Sequence, residues 1–194
     1  MTIAIVDCGG ANLRSVQVSF ERKGYAAQIT QNKEIILNST HVVLPGVGEA
    51  GKVMKTLTSK NLINCIKSIK KPLLGVCVGM HVLYEYSDEK STECLSVLKG
   101  SVKKFPLSKN TPLPQMGWNK IKTLLADIDI LNNEYYFFAN SYFAPVSNDT
   151  IAESVYSETF SAIVKKDNIL GCQFHPEKSS VAGEKFIDYF LTMT

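Results

Sequence analysis

The sequence predicts an α/β protein with a doubly wound, mostly parallel central sheet, flanked by helices and extended by antiparallel strands. Two observations lead to this prediction. In the first half of the chain, short apolar segments alternate with amphipathic ones, the order that places helices on both faces of a parallel sheet. In the second half, short strand candidates follow one another closely, as in hairpins or a mixed extension of the sheet.

The first half carries four short apolar segments that we predict to be strands. Between them lie amphipathic segments whose apolar positions have the spacing of a helix that buries one face. The first of these ends at Gly24, a residue typical of helix C-termini. The predicted strands cover residues 3–7, 26–29, 41–44 and 72–76, and the predicted helices cover residues 12–23, 52–57 and 62–69.

The second half is predicted to be rich in short strands and to close with a helix over residues 181–191. There is no internal repeat, no low-complexity segment and no linker rich in Pro, Gly and Ser. We therefore expect one domain over residues 1–194, a usual length for a single core. The strand candidates are residues 101–105, 118–122, 135–139, 151–155, 162–164 and 169–174.

Composition excludes several classes of protein. Hydrophobic residues make up 45% of the chain and charged residues 20%, which is ordinary for a soluble globule and argues against disorder. The net charge of +3, without a long basic run, does not indicate a nucleic-acid partner. No apolar stretch reaches the ~18 residues of a membrane helix. The start of the chain is typical of a strand and not of a signal peptide.

The five cysteines are an odd number and lack metal-ligand spacing, so we expect reduced thiols, no bound metal and a cytoplasmic location. No dinucleotide fingerprint or phosphate loop is present either, so no cofactor is predicted. The cysteines are Cys8, Cys65, Cys77, Cys94 and Cys172.

The sharpest local signal is an apolar strand that leads into Gly75-Val76-Cys77-Val78-Gly79 and then a helix. This is the form of a nucleophile elbow, in which flanking glycines make room for a strained turn. The turn places Cys77 at a helix N-terminus, which favours the thiolate, and points the N–H of Val78 at a developing oxyanion. A buried structural cysteine between packing glycines is the alternative.

A cysteine nucleophile needs a base, and the base needs an orienting group. His175 follows an apolar strand in His175-Pro176-Glu177, where the two ionisable side chains of an extended backbone can project the same way. We therefore predict a triad of Cys77, His175 and Glu177, in which the carboxylate holds the imidazole. His81, one helical turn past Cys77, is the rival base.

Residues 42–48 form another apolar strand that ends in glycines and precedes a helical stretch. In a doubly wound sheet, ligands bind at the carboxyl ends of the strands, so this turn is a candidate second oxyanion donor. An ordinary strand-to-helix turn is the alternative.

These residues together resemble the class I, or triad, glutamine amidotransferases. The elbow and the distant His-Pro-Glu mark this superfamily. Pro45-Gly46-Val47-Gly48 and Met116-Gly117-Trp118-Asn119 resemble, more narrowly, the glutaminase subunits of imidazole glycerol phosphate synthase in histidine biosynthesis. The matching segments are residues 7–16, 44–48, 113–119, 137–142 and 173–179, and the resemblance runs from residue 3 to residue 191.

The resemblance implies a reaction. The Cys77 thiolate attacks the side-chain amide of L-glutamine, His175 protonates the departing ammonia, and water hydrolyses the glutamyl thioester. Ammonia passes to a cyclase subunit, a (β/α)8 barrel that forms a heterodimer with this chain. The partner makes imidazole glycerol phosphate and aminoimidazole carboxamide ribotide.

The resemblance also implies further site residues. The oxyanion hole falls on Val47, Gly48 and Val78. Glutamine contacts fall on Gly46, His81, Glu89, Ser141 and Tyr142, with Glu89 at the α-amino group and Ser141 and Tyr142 near the α-carboxylate. Contacts with the cyclase fall on Asn12, Met116, Trp118, Asn119 and Lys178.

Three positions depart from the family pattern. His81 stands where the family usually has Gln, and Gln115 and Asn140 each stand where the family usually has His. Four other functions stay open on the sequence alone. They are an ammonia-supplying subunit of a sugar-modifying amidotransferase, a cysteine hydrolase or peptidase of similar fold, a non-enzymatic binding subunit, and a glutaminase for another pathway such as pyridoxal phosphate synthesis.

Overall fold

A computed structural model describes residues 1–10, 12–46, 48–107 and 111–194 of the chain. An eight-stranded sheet forms the centre, in the order β2-β1-β3-β4-β14-β13-β12-β9. The strands from β2 to β14 are parallel, and the last three are antiparallel. The predicted fold class is therefore confirmed. These strands are β1 Thr2–Val6, β2 Ala26–Thr30, β3 His41–Gly46, β4 Leu73–Cys77, β9 Lys122–Thr123, β12 Thr150–Val155, β13 Thr159–Lys166 and β14 Ile169–Cys172.

The remaining strands form two smaller sheets. Strand β8 (Gln115–Lys120) pairs with β10 (Tyr135–Asn140) in an antiparallel ribbon. A four-stranded sheet has the order β11-β7-β5-β6. Its strands are β5 Tyr86–Ser87, β6 Thr92–Glu93, β7 Ser101–Lys104 and β11 Tyr142–Phe143.

The helices match the predicted ones in position, with one addition. Helix α2 was not expected; Asn32 begins it by accepting hydrogen bonds from the N–H groups of Glu34 and Ile35. Only Ile36 of this helix is buried, so the sequence carries little periodic signal there. The helices are α1 Leu13–Glu21, α2 Lys33–Asn38, α3 Ala50–Ser59, α4 Ile63–Lys67, α5 Val78–His81 and α6 Ser180–Leu191, with 3-10 helices at Glu89–Ser91, Ala126–Leu131 and Pro176–Lys178.

The strand predicted over residues 118–122 needs correction. Strand β8 ends at Lys120, and Lys122 begins β9, which belongs to the large sheet. Ile121 between them is 1% exposed, so its burial in the core accompanies the change of sheet. Among the described residues, no helix has the length and apolar character needed to cross a membrane.

Phe160 joins the three sheets. It lies on β13 of the large sheet, and its ring is 5.7 Å from that of Phe138 in the β8–β10 ribbon. It is also 6.3 Å from the ring of Phe143 on β11 and 5.4 Å from that of Phe105, just after β7. Offset and edge-to-face aromatic pairs stabilise beyond their buried area. Phe160 therefore fixes the ribbon and the small sheet against the central sheet.

We expect Phe160→Ala to lower the free energy of unfolding by about 3–5 kcal/mol, because it empties the space that three aromatic rings share. Urea denaturation followed by circular dichroism measures the change. Val181→Ala is the control, since Val181 is 62% exposed on α6 and should change stability by less than about 0.5 kcal/mol. Equal effects of the two substitutions would contradict this role of Phe160.

Candidate active site

Cys77 lies at the junction between the central sheet and a short helix. It is the last residue of β4, and α5 begins at Val78. Its backbone has φ 52° and ψ −112°, a region that residues with a side chain rarely occupy. Such strain persists only where the surroundings enforce it. This is the geometry of a nucleophile elbow, as the sequence predicts.

Two glycines let the elbow approach the neighbouring strand. Strand β3 pairs with β4 so that Gly46 lies opposite Cys77. A Cβ atom on Gly79 would overlap the carbonyl oxygen of Leu44, and one on Gly46 would overlap the backbone of Gly79. Any side chain at these positions would push α5 away from β3, so the turn depends on both glycines.

His175 and Glu177 lie together beyond the end of β14, which is a neighbour of β4. Nδ1 of His175 is 2.9 Å from Oε1 of Glu177. The two side chains are 4% and 2% exposed, so the pair is shielded from water. The structure thus brings together the imidazole and the carboxylate that the sequence predicts for the triad.

The surroundings of His175 favour its charged form. Burial alone would lower its pKa, but the charge of Cys77 and a hydrogen bond with it, together with Glu177, raise the pKa above its usual range. A cationic imidazole beside Cys77 favours the thiolate at that cysteine. The site therefore places a cationic imidazole beside the sulfur of Cys77.

Asn12 is bound to the same carboxylate. Its Nδ2 donates a 2.9 Å hydrogen bond to Oε1 of Glu177, the oxygen that also faces His175. Asn12 immediately precedes α1 and has the left-handed φ of 72° that asparagine tolerates. The sequence places Asn12 only among expected partner contacts, so its bond to Glu177 is a finding of the structure.

Hydrogen bonds at Phe137 connect strand β10 to the segment that contains His175 and Ser179. The N–H of His175 donates to the carbonyl of Phe137 at 2.9 Å. The N–H of Phe137 donates to Oγ of Ser179 at 3.0 Å, and that hydroxyl donates to the carbonyl of His175 at 2.7 Å. The position of His175 therefore depends on that of β10.

A cavity of about 270 Å³ opens beside Cys77. Both Cys77 and the following residue, Val78, line it. Four of the predicted glutamine contacts line it, and Gly46 does not. The other lining residues are Gly48, His81, Glu89, Pro114, Ala139, Asn140, Ser141 and Tyr142.

Of the two candidates for the second oxyanion donor, only Gly48 lies within the described residues. It lines the cavity with a φ of +94°, a backbone conformation suited to glycine. Val47 falls outside the described part of the chain.

Glu89 places a carboxylate in the cavity wall. Its Oε2 accepts a 2.7 Å hydrogen bond from the N–H of Ala50, the first residue of α3. This bond favours ionisation, whereas burial, the larger effect, raises the pKa of Glu89. The arrangement gives the cavity one fixed acceptor for a cationic group.

The other two histidines have different surroundings. His81 is 2% exposed, and its Nε2 lies 2.7 Å from Oε1 of Gln173. Burial lowers the pKa of His81 to about 4, so its ring is neutral at neutral pH. His41 packs edge-on against the ring of Phe190 in the core and does not line the cavity. Of the three histidines, only His175 has a carboxylate partner in the described part of the chain.

Of the residues expected to meet a partner, Met116 and Trp118 lie on the exposed face of the β8–β10 ribbon, whereas Asn119 lies on its other face, opposite the buried Tyr136. Met116 is 66% exposed and Trp118 is 53% exposed. Nδ2 of Asn119 donates to the carbonyl of Val155. The ammonium of Lys178 lies 5.6 Å from the ring centre of Phe137, on the same ribbon. The ribbon also reaches the cavity through Ala139.

Larger depressions lie elsewhere, at the edge strand β2 (about 530 Å³) and between α2 and α4 (about 800 Å³). Neither depression is lined by Cys77, His175 or Glu177. Within the described ranges, no group of three or more His, Cys, Asp or Glu side chains is placed to hold a metal ion.

We expect Glu177→Gln to slow the alkylation of Cys77 by iodoacetamide about tenfold at pH 7. Glu177 raises the pKa of His175, so its loss lowers that pKa and leaves less imidazolium to favour the thiolate. At pH 10, where an ordinary thiol ionises unaided, the two rates should converge. Peptide mass spectrometry follows the reaction, and exposed Glu184→Gln is the control. A slowing that is the same at both pH values would contradict this electrostatic role.

Comparison with known proteins agrees with this geometry. The family model "Glutamine amidotransferase class-I" matches residues 4–192. A Vibrio parahaemolyticus protein named imidazole glycerol phosphate synthase subunit HisH is 41% identical, with 98% of both chains covered. A Bacteroides fragilis protein of the same name is 38% identical over the full length of both chains.

Solved structures share the fold. A crystal structure described as a glutamine amidotransferase matches with a TM-score of 0.77 and 17% identity, covering 97% of this chain and 96% of its own. PurLQS from Thermotoga maritima matches with a TM-score of 0.75 and 15% identity, covering 98% and 97%. The chain therefore belongs to the class-I glutamine amidotransferases and, within them, to the family of the HisH subunits of imidazole glycerol phosphate synthase.

Proposed function

We propose that this chain is the glutaminase subunit of an imidazole glycerol phosphate synthase. It hydrolyses L-glutamine and delivers the ammonia to a cyclase subunit in histidine biosynthesis. The observation that carries the proposal is the hydrogen-bonded pair of His175 and Glu177 beside Cys77, which lines a cavity that also holds the carboxylate of Glu89. The names of its relatives support the pathway. A single domain over residues 1–194 and a cytoplasmic location, consistent with five free cysteines, complete the proposal.

The cavity suits an amino acid with an amide side chain. Glu89 accepts the α-ammonium group, and the backbone near Ser141 and Tyr142 binds the α-carboxylate. His81 forms part of the wall. The side-chain amide then lies at Cys77, because the charged end of the substrate is held at the other residues of the cavity.

The first half-reaction releases ammonia. The Cys77 thiolate attacks the amide carbon of glutamine, and the carbonyl oxygen becomes an oxyanion. The N–H groups of Val78 and of the turn at Val47 and Gly48 stabilise it. The carbon–nitrogen bond then breaks as the His175 imidazolium gives its proton to the leaving nitrogen. Ammonia and a glutamyl thioester on Cys77 result.

The second half-reaction restores the enzyme. Neutral His175 takes a proton from water, and the oxygen of that water attacks the thioester carbon. The carbon–sulfur bond breaks, glutamate leaves, and the Cys77 thiolate and the His175 imidazolium form again. Glu177 holds the imidazole throughout, and Asn12 holds Glu177.

The partner is a cyclase subunit with a (β/α)8 barrel, and it binds the exposed face of the β8–β10 ribbon. Apolar and aromatic side chains that stand exposed together are typical of an interface. Met116, Trp118 and Tyr135 are each more than half exposed on this face. The same ribbon lines the cavity at Ala139, so ammonia has a short route from Cys77 to the partner.

The decisive test separates the release of ammonia from glutamine from the reaction in the cyclase partner. With a cyclase partner, we expect Cys77→Ala to abolish synthesis from glutamine, because triad members act as a unit. Synthesis from added ammonium salt at alkaline pH should persist, because that reaction takes place in the partner. Product formation is measured with each nitrogen source.

Two results would overturn the assignment. Substantial glutamine-dependent turnover by Cys77→Ala would exclude Cys77 as the nucleophile. Loss of ammonium-dependent turnover in a complex that still assembles would contradict the division of labour between the subunits. Cys94→Ala is the matched control, because Cys94 lines no part of the cavity and should retain both activities.

Trp118→Ala tests the partner face. A large aromatic side chain at the centre of an interface typically contributes 2 kcal/mol or more, so we expect the Kd for the cyclase to rise by at least about 30-fold. Isothermal titration calorimetry measures it. Leu37→Ala, at an exposed apolar position on α2, should change the Kd less than about twofold. Equal Kd values for the two variants would place the interface elsewhere.

A further inference from the structure

Gln173 connects two residues of the site from within the core. It lies between the end of β14 and His175, and it is 0% exposed. Its Nε2 is 3.7 Å from Sγ of Cys77, a hydrogen-bond distance for sulfur. Its Oε1 is 2.7 Å from Nε2 of His81. Gln173 does not line the cavity, and no pattern in the sequence predicts a role for it.

When Cys77 is a thiolate, which can only accept, these contacts have one consistent direction. An amide oxygen only accepts, so Nε2 of His81 carries a proton and donates it to Oε1 of Gln173. Once Oε1 is held by His81, the amide NH2 group faces Cys77. The reverse orientation would place the amide oxygen against the thiolate, and two acceptors would then meet without a proton between them.

We propose that Gln173 is a catalytic residue that donates a hydrogen bond to the Cys77 thiolate, and that His81 is the positioning residue that sets its amide orientation. A bond to a charged acceptor is roughly twice as strong as one to a neutral acceptor, so it favours the thiolate over the thiol. The inference rests on the proposed role of Cys77 as the nucleophile.

The donor acts in addition to His175. The titratable groups that face Cys77 are His175 and Cys172, with His81 behind Gln173. Cys172 is fully buried, which raises its pKa well above the usual range, so it stays a neutral thiol. His175 loses its positive charge when its proton is transferred to the leaving nitrogen. The amide N–H of Gln173 remains a donor to the sulfur after that transfer.

The proposal requires one property of the residue at position 81, a neutral donor beside Gln173. A glutamine side chain there would also offer an N–H that can donate to Oε1 of Gln173. Histidine and glutamine therefore share that property. An apolar residue of similar size lacks it.

The test measures the alkylation of Cys77 by iodoacetamide against pH in the full chain, without glutamine or partner. Peptide mass spectrometry isolates Cys77 from Cys94, whose burial raises its pKa to about 11. In Gln173→Met, we expect the midpoint of the pH profile to move upward by about one pH unit, the size of one charge-assisted hydrogen bond.

The His81 pair provides an arm that leaves Gln173 in place. His81→Leu removes the donor to Oε1, and the midpoint should move upward by about half a pH unit. His81→Gln keeps a donor, and the midpoint should stay at the wild-type value. If Gln173→Met does not fold, as judged by circular dichroism, the two His81 variants decide whether Gln173 donates to Cys77.

In the complex, the loss for Gln173→Met should appear in kcat for glutamine and not in KM, because Gln173 does not touch the cavity. Variants that lose thermal stability but keep the wild-type midpoint would show a purely structural role and overturn the inference. A wild-type Cys77 no more reactive at pH 7 than a free thiol would instead refute its role as the nucleophile.

Discussion

The backbone of Cys77 is held at φ 52° and ψ −112° by two contacts that permit no side chain, at Gly46 and Gly79. A conformation of this kind costs on the order of 1–3 kcal/mol, and the packing of α5 against β3 offsets it. Because β3 and β4 are central parallel strands in which every residue is buried, the turn rests on the core of the sheet. The directions of the thiol and of the N–H that follows it depend on that turn.

Two series of hydrogen bonds hold the side chains around Cys77 in place. His175 is held by Glu177 at 2.9 Å, and Glu177 by Asn12 at 2.9 Å. Gln173 and His81 form a second branch behind the nucleophile. The side chains of His175, Glu177, Gln173 and His81 are shielded from water, and Asn12 is half-buried, so the inner hydrogen bonds act in a low dielectric and are costly to leave unmade. A few buried polar groups thus define the geometry of the reaction.

The sequence predicts the local features of this protein well and the remote ones poorly. The elbow and the His-Pro-Glu segment are contiguous patterns, so Cys77, His175 and Glu177 could be proposed without coordinates. The alternation of strands and helices likewise predicts the confirmed parallel sheet. By contrast, the bond between Asn12 and Glu177 joins residues 165 positions apart, and that between Gln173 and Cys77 joins residues 96 apart. The periodicity of the sequence does not predict hydrogen bonds between residues so far apart, because tertiary packing alone brings them together.

Two hydrogen bonds join the backbone of Phe137 to the segment from His175 to Ser179, and they limit how the length of the chain can vary here. Side chains alternate along β10, with Tyr136 and Phe138 buried and Phe137 between them facing outward. Inserting one residue into β10 would turn Phe138 toward solvent and remove the carbonyl that His175 uses. Core packing and the histidine would fail together. Length changes are therefore compatible with the loop that precedes β10 and not with the strand itself or with Ser141, which alone separates β10 from β11 and lines the cavity.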